Sequence, residues 1–174
     1  MRRRAIGKRR WLKPAHDRQN VLALLRSPGW PATTTTKKMS APFTGGCGCG
    51  AIRYQVTAEP IVMFNCHCRD CQRATGTSFS AVVYVPAKAF KITKGSPRYY
   101  QTSSESGGHN KRGFCPDCGS RLFGGISDQG HGINAASLDD PTLFKPQMHI
   151  WTADAQPWDH MDPDLPKFEK YAPQ

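Results

Sequence analysis

The chain has 174 residues, of which 38% are hydrophobic and 21% are charged, a balance typical of soluble globular proteins rather than disordered ones. Its longest apolar runs, such as Val21–Leu25, are far shorter than the roughly 18 residues of a membrane-spanning helix, so no membrane span is expected. The formal net charge is +11, but residues 1–38 contain 11 basic residues and one acidic residue, and residues 39–174 contain 13 and 12. Because the charge lies almost entirely in residues 1–38, a nucleic-acid partner is expected only for that segment.

Residues 1–38 are interpreted as a basic N-terminal extension. They contain the runs Arg2–Arg4 and Lys8–Arg10 and a tract of threonines at Thr33–Thr36, a composition that favours a disordered or weakly structured segment. If translation starts at Met39, residues 1–38 are not part of the protein, which would also explain their composition. The functional alternatives are an organelle presequence and a nucleic-acid-binding arm. The apolar run at residues 21–25 is too short for a secretory signal, so a reducing, cytoplasmic location is expected.

Residues 39–174 are predicted to form a mainly β domain. Ile52, Tyr54 and Val56 alternate with polar residues, which is the period-two pattern of a half-buried strand. One short helical turn is predicted at Asp70–Ala74. The predicted strands, in chain order, are 52–56, 79–85, 90–93, 98–102, 111–115, 121–126, 133–138 and 148–151.

Seven cysteines occur in three closely spaced groups. An odd number cannot be used up by intramolecular disulfides, and bonds between such near neighbours would be strained. Cysteines two or three positions apart suit a metal ion, because one tight turn can direct both thiolates at it. Metal binding is therefore predicted for the three groups, Cys47-x-Cys49, Cys66-x-Cys68-x-x-Cys71 and Cys115-x-x-Cys118.

Local sequence suggests a division of the cysteines into four plus three. Cys115-Pro-Asp-Cys118-Gly119 is typical of a zinc knuckle, and Cys47 and Cys49 are lined by glycines that let the backbone close tightly. Four thiolates saturate a zinc ion, so this set is predicted to be a structural site that supports folding.

The remaining cysteines, Cys66, Cys68 and Cys71, leave one zinc position open. Three protein ligands with a free fourth position are the arrangement of catalytic zinc sites. A zinc ion with three thiolate ligands is a mild Lewis acid with an affinity for sulfur, which points to thiol chemistry. A substrate thiol in the open position would have a lowered pKa.

Other groupings remain open at this stage. A zinc-ribbon pairing would join Cys68 and Cys71 to Cys115 and Cys118, although the 43 residues between them exceed the usual spacing. His67 could act as a fourth ligand, but its position between two cysteines favours a place at the lip of the site.

Several polar residues are candidates for contacts with substrate. Arg69 and Arg73 could hold a carboxylate, and Gln72 and Thr75 could orient a substrate, although such residues also commonly stabilise the loop that carries them. The possible proton carriers are His109 and His149, and the expected core or pocket-wall residues are Trp151 and Trp158.

Five stretches of the sequence resemble the glutathione-dependent formaldehyde-activating family. They lie between about residues 44 and 168, and residues 1–38 have no counterpart in the family pattern. The three cysteine motifs in this order make the resemblance specific. The stretches are Gly45–Tyr54, Asn65–Gly76, Arg112–Leu122, Pro146–Trp151 and Pro157–Trp158.

The resemblance implies a β-tent fold of small coiled β-sheets with two zinc ions per chain. It assigns Cys47, Cys49, Cys115 and Cys118 to a structural zinc, and the cluster at residues 66–71 to a catalytic zinc. The implied activity is that of a carbon–sulfur lyase, which joins formaldehyde to glutathione as S-(hydroxymethyl)glutathione. The implied partners are a small thiol such as glutathione and a small carbonyl compound. The alternative function is a non-catalytic, zinc-stabilised protein-interaction module.

Overall fold

A computed structural model describes residues 39–104 and 107–173. The extension predicted at residues 1–38 lies outside the described residues. The described part is mainly β, as predicted, with eleven strands and one α-helix. The strands are β1 (Phe43–Gly46), β2 (Arg53–Val56), β3 (Val62–Cys66), β4 (Ser80–Pro86), β5 (Phe90–Lys94), β6 (Arg98–Ser103), β7 (His109–Phe114), β8 (Arg121–Gly124), β9 (Gly130–Asn134), β10 (His149–Ile150) and β11 (Lys167–Phe168).

The strands form two sheets. The small sheet has the order β1-β2-β5 and is antiparallel throughout. The large sheet has the order β11-β10-β3-β4-β9-β8-β7-β6, in which β10 is parallel to both of its neighbours and the other pairs are antiparallel. An isolated bridge between Gly45 and Leu138 connects the small sheet to the segment that follows β9. No helix in the described part of the chain has the length and apolar character needed to cross a membrane.

The helix α1 (Arg69–Thr75) is longer than the single turn that the sequence predicts. Cys68 caps its N-terminus, because the Cys68 sulfur accepts a hydrogen bond from the backbone N–H of Cys71. Gly76 ends the helix in the left-handed conformation, with φ of 71°, which glycine adopts without steric cost. The sequence around the second cysteine group therefore specifies its own short helix.

The main hydrophobic core lies between the two sheets. Tyr54 and Val56 of the small sheet are fully buried against residues of the large sheet that include Val83 and Ile133. The Tyr54 ring packs edge-on against Phe123 with 5.4 Å between ring centroids. The Tyr54 hydroxyl lies 2.8 Å from the Ser137 hydroxyl. This hydrogen bond offsets the free-energy cost of burying a polar group.

A smaller apolar cluster lies where β3 and β10 run parallel. It contains Cys66, Cys71, Ile150 and Trp151, with Phe64 packed against it. This cluster places two of the predicted metal-binding cysteines on an apolar base at the end of β3.

Candidate metal centres and the adjoining cleft

Four cysteines from two distant turns form the first cluster. Cys47 and Cys49 follow β1, and Cys115 and Cys118 follow β7, yet all four sulfur atoms lie within 4.8 Å of one another. The Cys47 and Cys49 sulfurs are 3.4 Å apart, and the Cys49 and Cys115 sulfurs are 3.8 Å apart. The cluster could hold one metal ion, and it joins a turn of the small sheet to a turn of the large sheet.

Backbone and hydroxyl groups support the four-cysteine cluster. The Ile52 N–H donates to the Cys47 sulfur at 3.2 Å, which stabilises negative charge on that sulfur. Gly119, with φ of 75°, lets the second turn close through the hydrogen bond from its N–H to the Cys115 carbonyl. Hydrogen bonds from Ser120 lower the pKa of Cys118 to about 6. These interactions favour thiolates, the form of cysteine that binds metal.

Three cysteines on one short segment form the second cluster. Cys66 ends β3, Cys68 caps α1 and Cys71 lies in the first turn of α1, and their sulfur atoms lie within 4.8 Å of one another. This group is separate from the cluster at Cys115 and Cys118, so the described cysteines do not take the zinc-ribbon pairing. Among the described residues, no fourth histidine, cysteine or carboxylate joins the three.

A buried guanidinium group adjoins the three-cysteine cluster. Arg112 on β7 is 1% exposed, and its two terminal nitrogens lie 3.8 and 3.9 Å from the Cys71 sulfur. The guanidinium also pairs with the Asp70 carboxylate, which accepts a second hydrogen bond from the Thr102 hydroxyl at 2.9 Å. Hydrogen bonds from Cys66 and Cys68, and then the charge of Arg112, lower the pKa of Cys71. The negative charge of the cluster is therefore favoured at the sulfur that faces Arg112.

The three-cysteine cluster opens onto a cleft with a volume of about 1240 Å³. This is large enough for a small-molecule substrate. Its apolar wall includes Phe64, Val82 and Ile150, and positively charged side chains line other parts of it. The cleft thus combines sulfur ligands, an apolar surface and cationic groups. The cations that line it are Arg69, Arg73, Arg112 and Arg121.

Residues 42–154 match the family model described as glutathione-dependent formaldehyde-activating enzyme. The match covers more than half of the chain and includes both cysteine clusters. The chain belongs to the glutathione-dependent formaldehyde-activating enzyme family. The resemblance found in the cysteine motifs is therefore confirmed.

Fungal proteins are among the relatives of this family member. One from Penicillium rubens, named "Putative glutathione-dependent formaldehyde-activating enzyme", is 30% identical over 68% of this chain and 59% of its own length. One from Talaromyces marneffei with the same name is 32% identical over 48% of this chain and 46% of its own length. The chain thus spans about half the length of the curated relatives that it matches. A crystal structure of a Rhodobacter sphaeroides protein is 22% identical, with a TM-score of 0.45, over 55% of this chain and 87% of that one.

The predicted substrate-contact residues take two different positions in this family member. Arg69 and Arg73 line the cleft. Gln72 and Thr75 do not line it. The Gln72 side-chain oxygen accepts a hydrogen bond from the Arg69 guanidinium, and the two residues also donate to the backbone. The Gln72 amide donates to the carbonyl oxygens of His67 and Asp154, and the Thr75 hydroxyl donates to the Cys71 carbonyl at 2.9 Å.

His67 and His149 lie in a buried network behind the cysteine segment. The His67 side chain is fully buried rather than placed at the lip of the site, where the sequence put it. Its Nε2 lies 2.8 Å from Nδ1 of His149, and its Nδ1 lies 2.7 Å from a carboxylate oxygen of Asp159. Burial lowers the pKa of His67 more strongly than Asp159 raises it. Of the two predicted proton carriers, His109 lines the cleft and His149 does not.

Three cleft residues were missed from the sequence. Arg112, Arg121 and Tyr100 line the cleft from β7, β8 and β6, which pair with one another far along the chain from Cys66. The available signal was the position of Arg112 and Arg121 three residues outside each end of the Cys115–Cys118 motif. That position becomes informative only when the order of the strands is known.

Proposed function

We propose that the two clusters bind zinc, with different roles. Cys47, Cys49, Cys115 and Cys118 would hold a structural ion, and the cluster at residues 66–71 would hold a catalytic one. The grouping of the sulfurs and the N–H donors directed at them suit this metal. Zinc bound by three thiolates would supply a position for a substrate thiol and lower the pKa of that thiol.

We propose that the protein joins a thiol of the glutathione type to formaldehyde, or catalyses the reverse cleavage. In the forward direction the thiolate sulfur attacks the carbonyl carbon and a carbon–sulfur bond forms. The π electron pair of the carbonyl moves to oxygen, which takes up one proton in place of the one that the thiol lost, so the product is an S-(hydroxymethyl) adduct, a hemithioacetal. The observation that carries this proposal is the cluster of three cysteines at a cleft of about 1240 Å³, with no fourth ligand among the described residues.

Side chains of the cleft have defined tasks in this proposal. Arg69 and Arg73 hold substrate carboxylates, because guanidinium groups bind carboxylates through paired hydrogen bonds. His109, which lines the cleft, would exchange a proton with the substrate oxygen. Phe64 and Ile150 exclude water from the side of the cleft next to the cysteines. Gln72 and Thr75 stabilise the cysteine segment through hydrogen bonds to its backbone and to that of Asp154, and they do not contact the substrate.

The alternative function, a non-catalytic interaction module, requires a fourth protein ligand at the three-cysteine cluster. His67 is the candidate that the sequence offers. Both of its ring nitrogens are engaged elsewhere, with His149 at 2.8 Å and Asp159 at 2.7 Å. This arrangement supports the enzyme over the interaction module.

Exchange spectroscopy on a mixture of formaldehyde and glutathione tests the proposed activity. We expect the wild-type protein to accelerate formation of the adduct, and Cys68→Ser to abolish the acceleration while zinc falls from two ions per chain to one. Lys91→Gln, on an exposed position of β5, is the matched control and should behave as wild type. A wild-type protein that holds two zinc ions but accelerates neither direction would overturn the proposal.

A further inference from the structure

A second guanidinium group lies in the cleft beside Arg112. Arg121 begins β8, is partly buried, and donates a hydrogen bond from Nη1 to the Tyr100 hydroxyl at 3.1 Å. Within residues 39–104 and 107–173, no carboxylate lies within 4 Å of the Arg121 guanidinium, although Asp70 pairs with Arg112. Asp70 therefore neutralises the charge of Arg112. Within this part of the chain, no carboxylate neutralises the charge of Arg121 in the same way.

The two guanidinium groups approach each other over Gly124. A Cβ atom at Gly124 would lie 3.0 Å from Nη2 of Arg121 and 3.5 Å from Nη1 of Arg112, and Gly124 lines the cleft with them. Burial, and then the positive charge of Arg112, lower the pKa of Arg121. A partly buried cation next to another cation is unfavourable unless an anion joins it. The geometry thus prepares a position for an anion.

We propose that Arg121, together with the Tyr100 hydroxyl, forms a carboxylate subsite that selects carboxylate-bearing thiols over neutral ones. The inference rests on the proposed function, because the carboxylate would belong to the thiol whose sulfur reaches the three-cysteine cluster. A guanidinium binds a carboxylate in a planar, two-point manner, so the subsite fixes the orientation of the thiol as well as its charge. Arg121 acts here as a residue that determines specificity, and it takes no part in forming the carbon–sulfur bond.

Steady-state kinetics with two thiols test the subsite. With formaldehyde as the carbonyl, we expect Arg121→Gln to raise KM for glutathione about tenfold or more with kcat nearly unchanged, and to leave KM for 2-mercaptoethanol unchanged. Arg121→Lys keeps the charge and should recover part of the lost affinity. Arg98→Gln, an exposed arginine on β6 outside the cleft, is the matched control and should change neither value.

Two results would overturn the subsite. An unchanged KM for glutathione in Arg121→Gln would show that no carboxylate binds there. An equal rise in KM for both thiols would show that Arg121 acts through the fold or through the metal site. Zinc content measured on the same sample would then distinguish these two explanations.

Failure of the proposed function would be visible separately. If the wild type turns over neither thiol, the proposed activity fails, and the subsite is judged from equilibrium binding of S-methylglutathione, which has no free thiol. Weaker binding to Arg121→Gln than to wild type then supports the subsite. Equal binding, or no binding to either protein, overturns it.

Discussion

Arg112 is the largest side chain among those that the described part of the protein buries completely. Burying a guanidinium is costly unless anions surround it. Here Asp70 supplies one anion and the Cys71 sulfur supplies the other, at 3.8 and 3.9 Å from the guanidinium nitrogens. A thiolate balances the charge and a neutral thiol does not, so the buried arginine and the three-cysteine cluster stabilise each other.

Replacing Arg112 should therefore weaken metal binding at one cluster only. We expect Arg112→Met to lose zinc from the three-cysteine cluster at a lower chelator concentration than wild type, and to lower the free energy of unfolding by about 1–3 kcal/mol because the partly buried Asp70 loses its partner. Arg112→Lys should be intermediate between wild type and Arg112→Met in both zinc retention and unfolding free energy, since an ammonium group cannot contact Asp70 and Cys71 in the same planar way. Chelator competition followed by zinc content checks this. Equal zinc loss from both clusters would contradict it.

A buried histidine predicts how stability depends on pH. His131 on β9 is 9% exposed and stacks on Phe90 with 4.0 Å between ring centroids. Burial lowers the pKa of His131 to about 4, below the ordinary value near 6.5. The unfolded chain therefore binds a proton first as pH falls. The contribution of the neutral His131 side chain to the free energy of unfolding is therefore complete above pH 6.5 and decreases as the pH falls from 6.5 to about 4.

Substituting phenylalanine for His131 should reduce that pH dependence. Between pH 7 and pH 5 we expect wild type to lose about 2 kcal/mol of unfolding free energy more than His131→Phe does. Urea unfolding at the two pH values measures the difference, and acid release of zinc affects both proteins alike. His109→Gln, at an exposed position, should follow wild type. Parallel pH curves for wild type and His131→Phe would contradict the prediction.

At the scale of elements, β1 must approach the rest of the domain closely. A Cβ atom at Gly45 would overlap the Tyr54 hydroxyl and the Ser137 carbonyl oxygen, both of which belong to well-packed parts of the core. Glycine is therefore required at this position for steric reasons, at the bridge that connects the small sheet to Leu138.

Gly45→Ala should separate β1 from the core. We expect a loss of about 1–3 kcal/mol in unfolding free energy, the usual cost of overpacking. Gly108→Ala is the matched control, because no atom of the described residues lies within 4 Å of a Cβ atom there. Denaturant unfolding of both variants measures the difference. Equal stability of the two variants would show that a Cβ atom at Gly45 is accommodated, and would contradict the steric requirement for glycine there.

Alternation of apolar and polar residues predicts strands that have one buried face. Alternation in β2 and β4 marks strands whose side chains are buried on one side, and both were predicted. β3 (Val62–Cys66) was missed because Val-Met-Phe-Asn-Cys does not alternate between apolar and polar residues. The strand predicted at 133–138 is wrong in its second half. There the Asn134 side chain accepts a hydrogen bond from the Ala136 N–H and starts a 3-10 helix.

The candidate site divides in the same way. Cys66, Cys68 and Cys71 could be grouped from sequence, because their spacing alone brings them together on one turn. Arg112 and Arg121 could not, since only the pairing of β7 and β8 brings them to the cleft beside the cysteines. The cysteines, including the pairs at 47–49 and 115–118 that meet from two sheets, carry recognisable spacing motifs, whereas the two arginines belong to no motif that marks them as part of a site.

At the scale of the whole molecule, the two cysteine clusters constrain the chain differently. The four-cysteine cluster joins turns that are 66 residues apart between Cys49 and Cys115 and that belong to different sheets. The three-cysteine cluster closes only the short segment from Cys66 to Cys71. A crosslink that closes a long loop removes more freedom from the unfolded chain than one that closes a short loop.

Stability and activity should therefore separate between two serine variants. We expect Cys118→Ser to lose one zinc ion and more than about 4 kcal/mol of unfolding free energy, and Cys68→Ser to lose one zinc ion, all activity and only about 1 kcal/mol. Zinc analysis and urea unfolding of both proteins check this. A larger loss of stability in Cys68→Ser than in Cys118→Ser would reverse the proposed assignment of the two sites.

Trp151 gives the cleft an optical reporter. The indole is 5% exposed, lies in the cleft wall, and is contacted by the Tyr171 ring and the Lys170 ammonium. A molecule entering the cleft displaces water and charge near this indole, and tryptophan emission responds to both. Trp158 is 63% exposed, and the chain has two further tryptophans, Trp11 and Trp30. Replacing these three with phenylalanine would leave Trp151 as the only tryptophan that emits. Ligand titrations can then be followed by intrinsic fluorescence, without a label and without turnover.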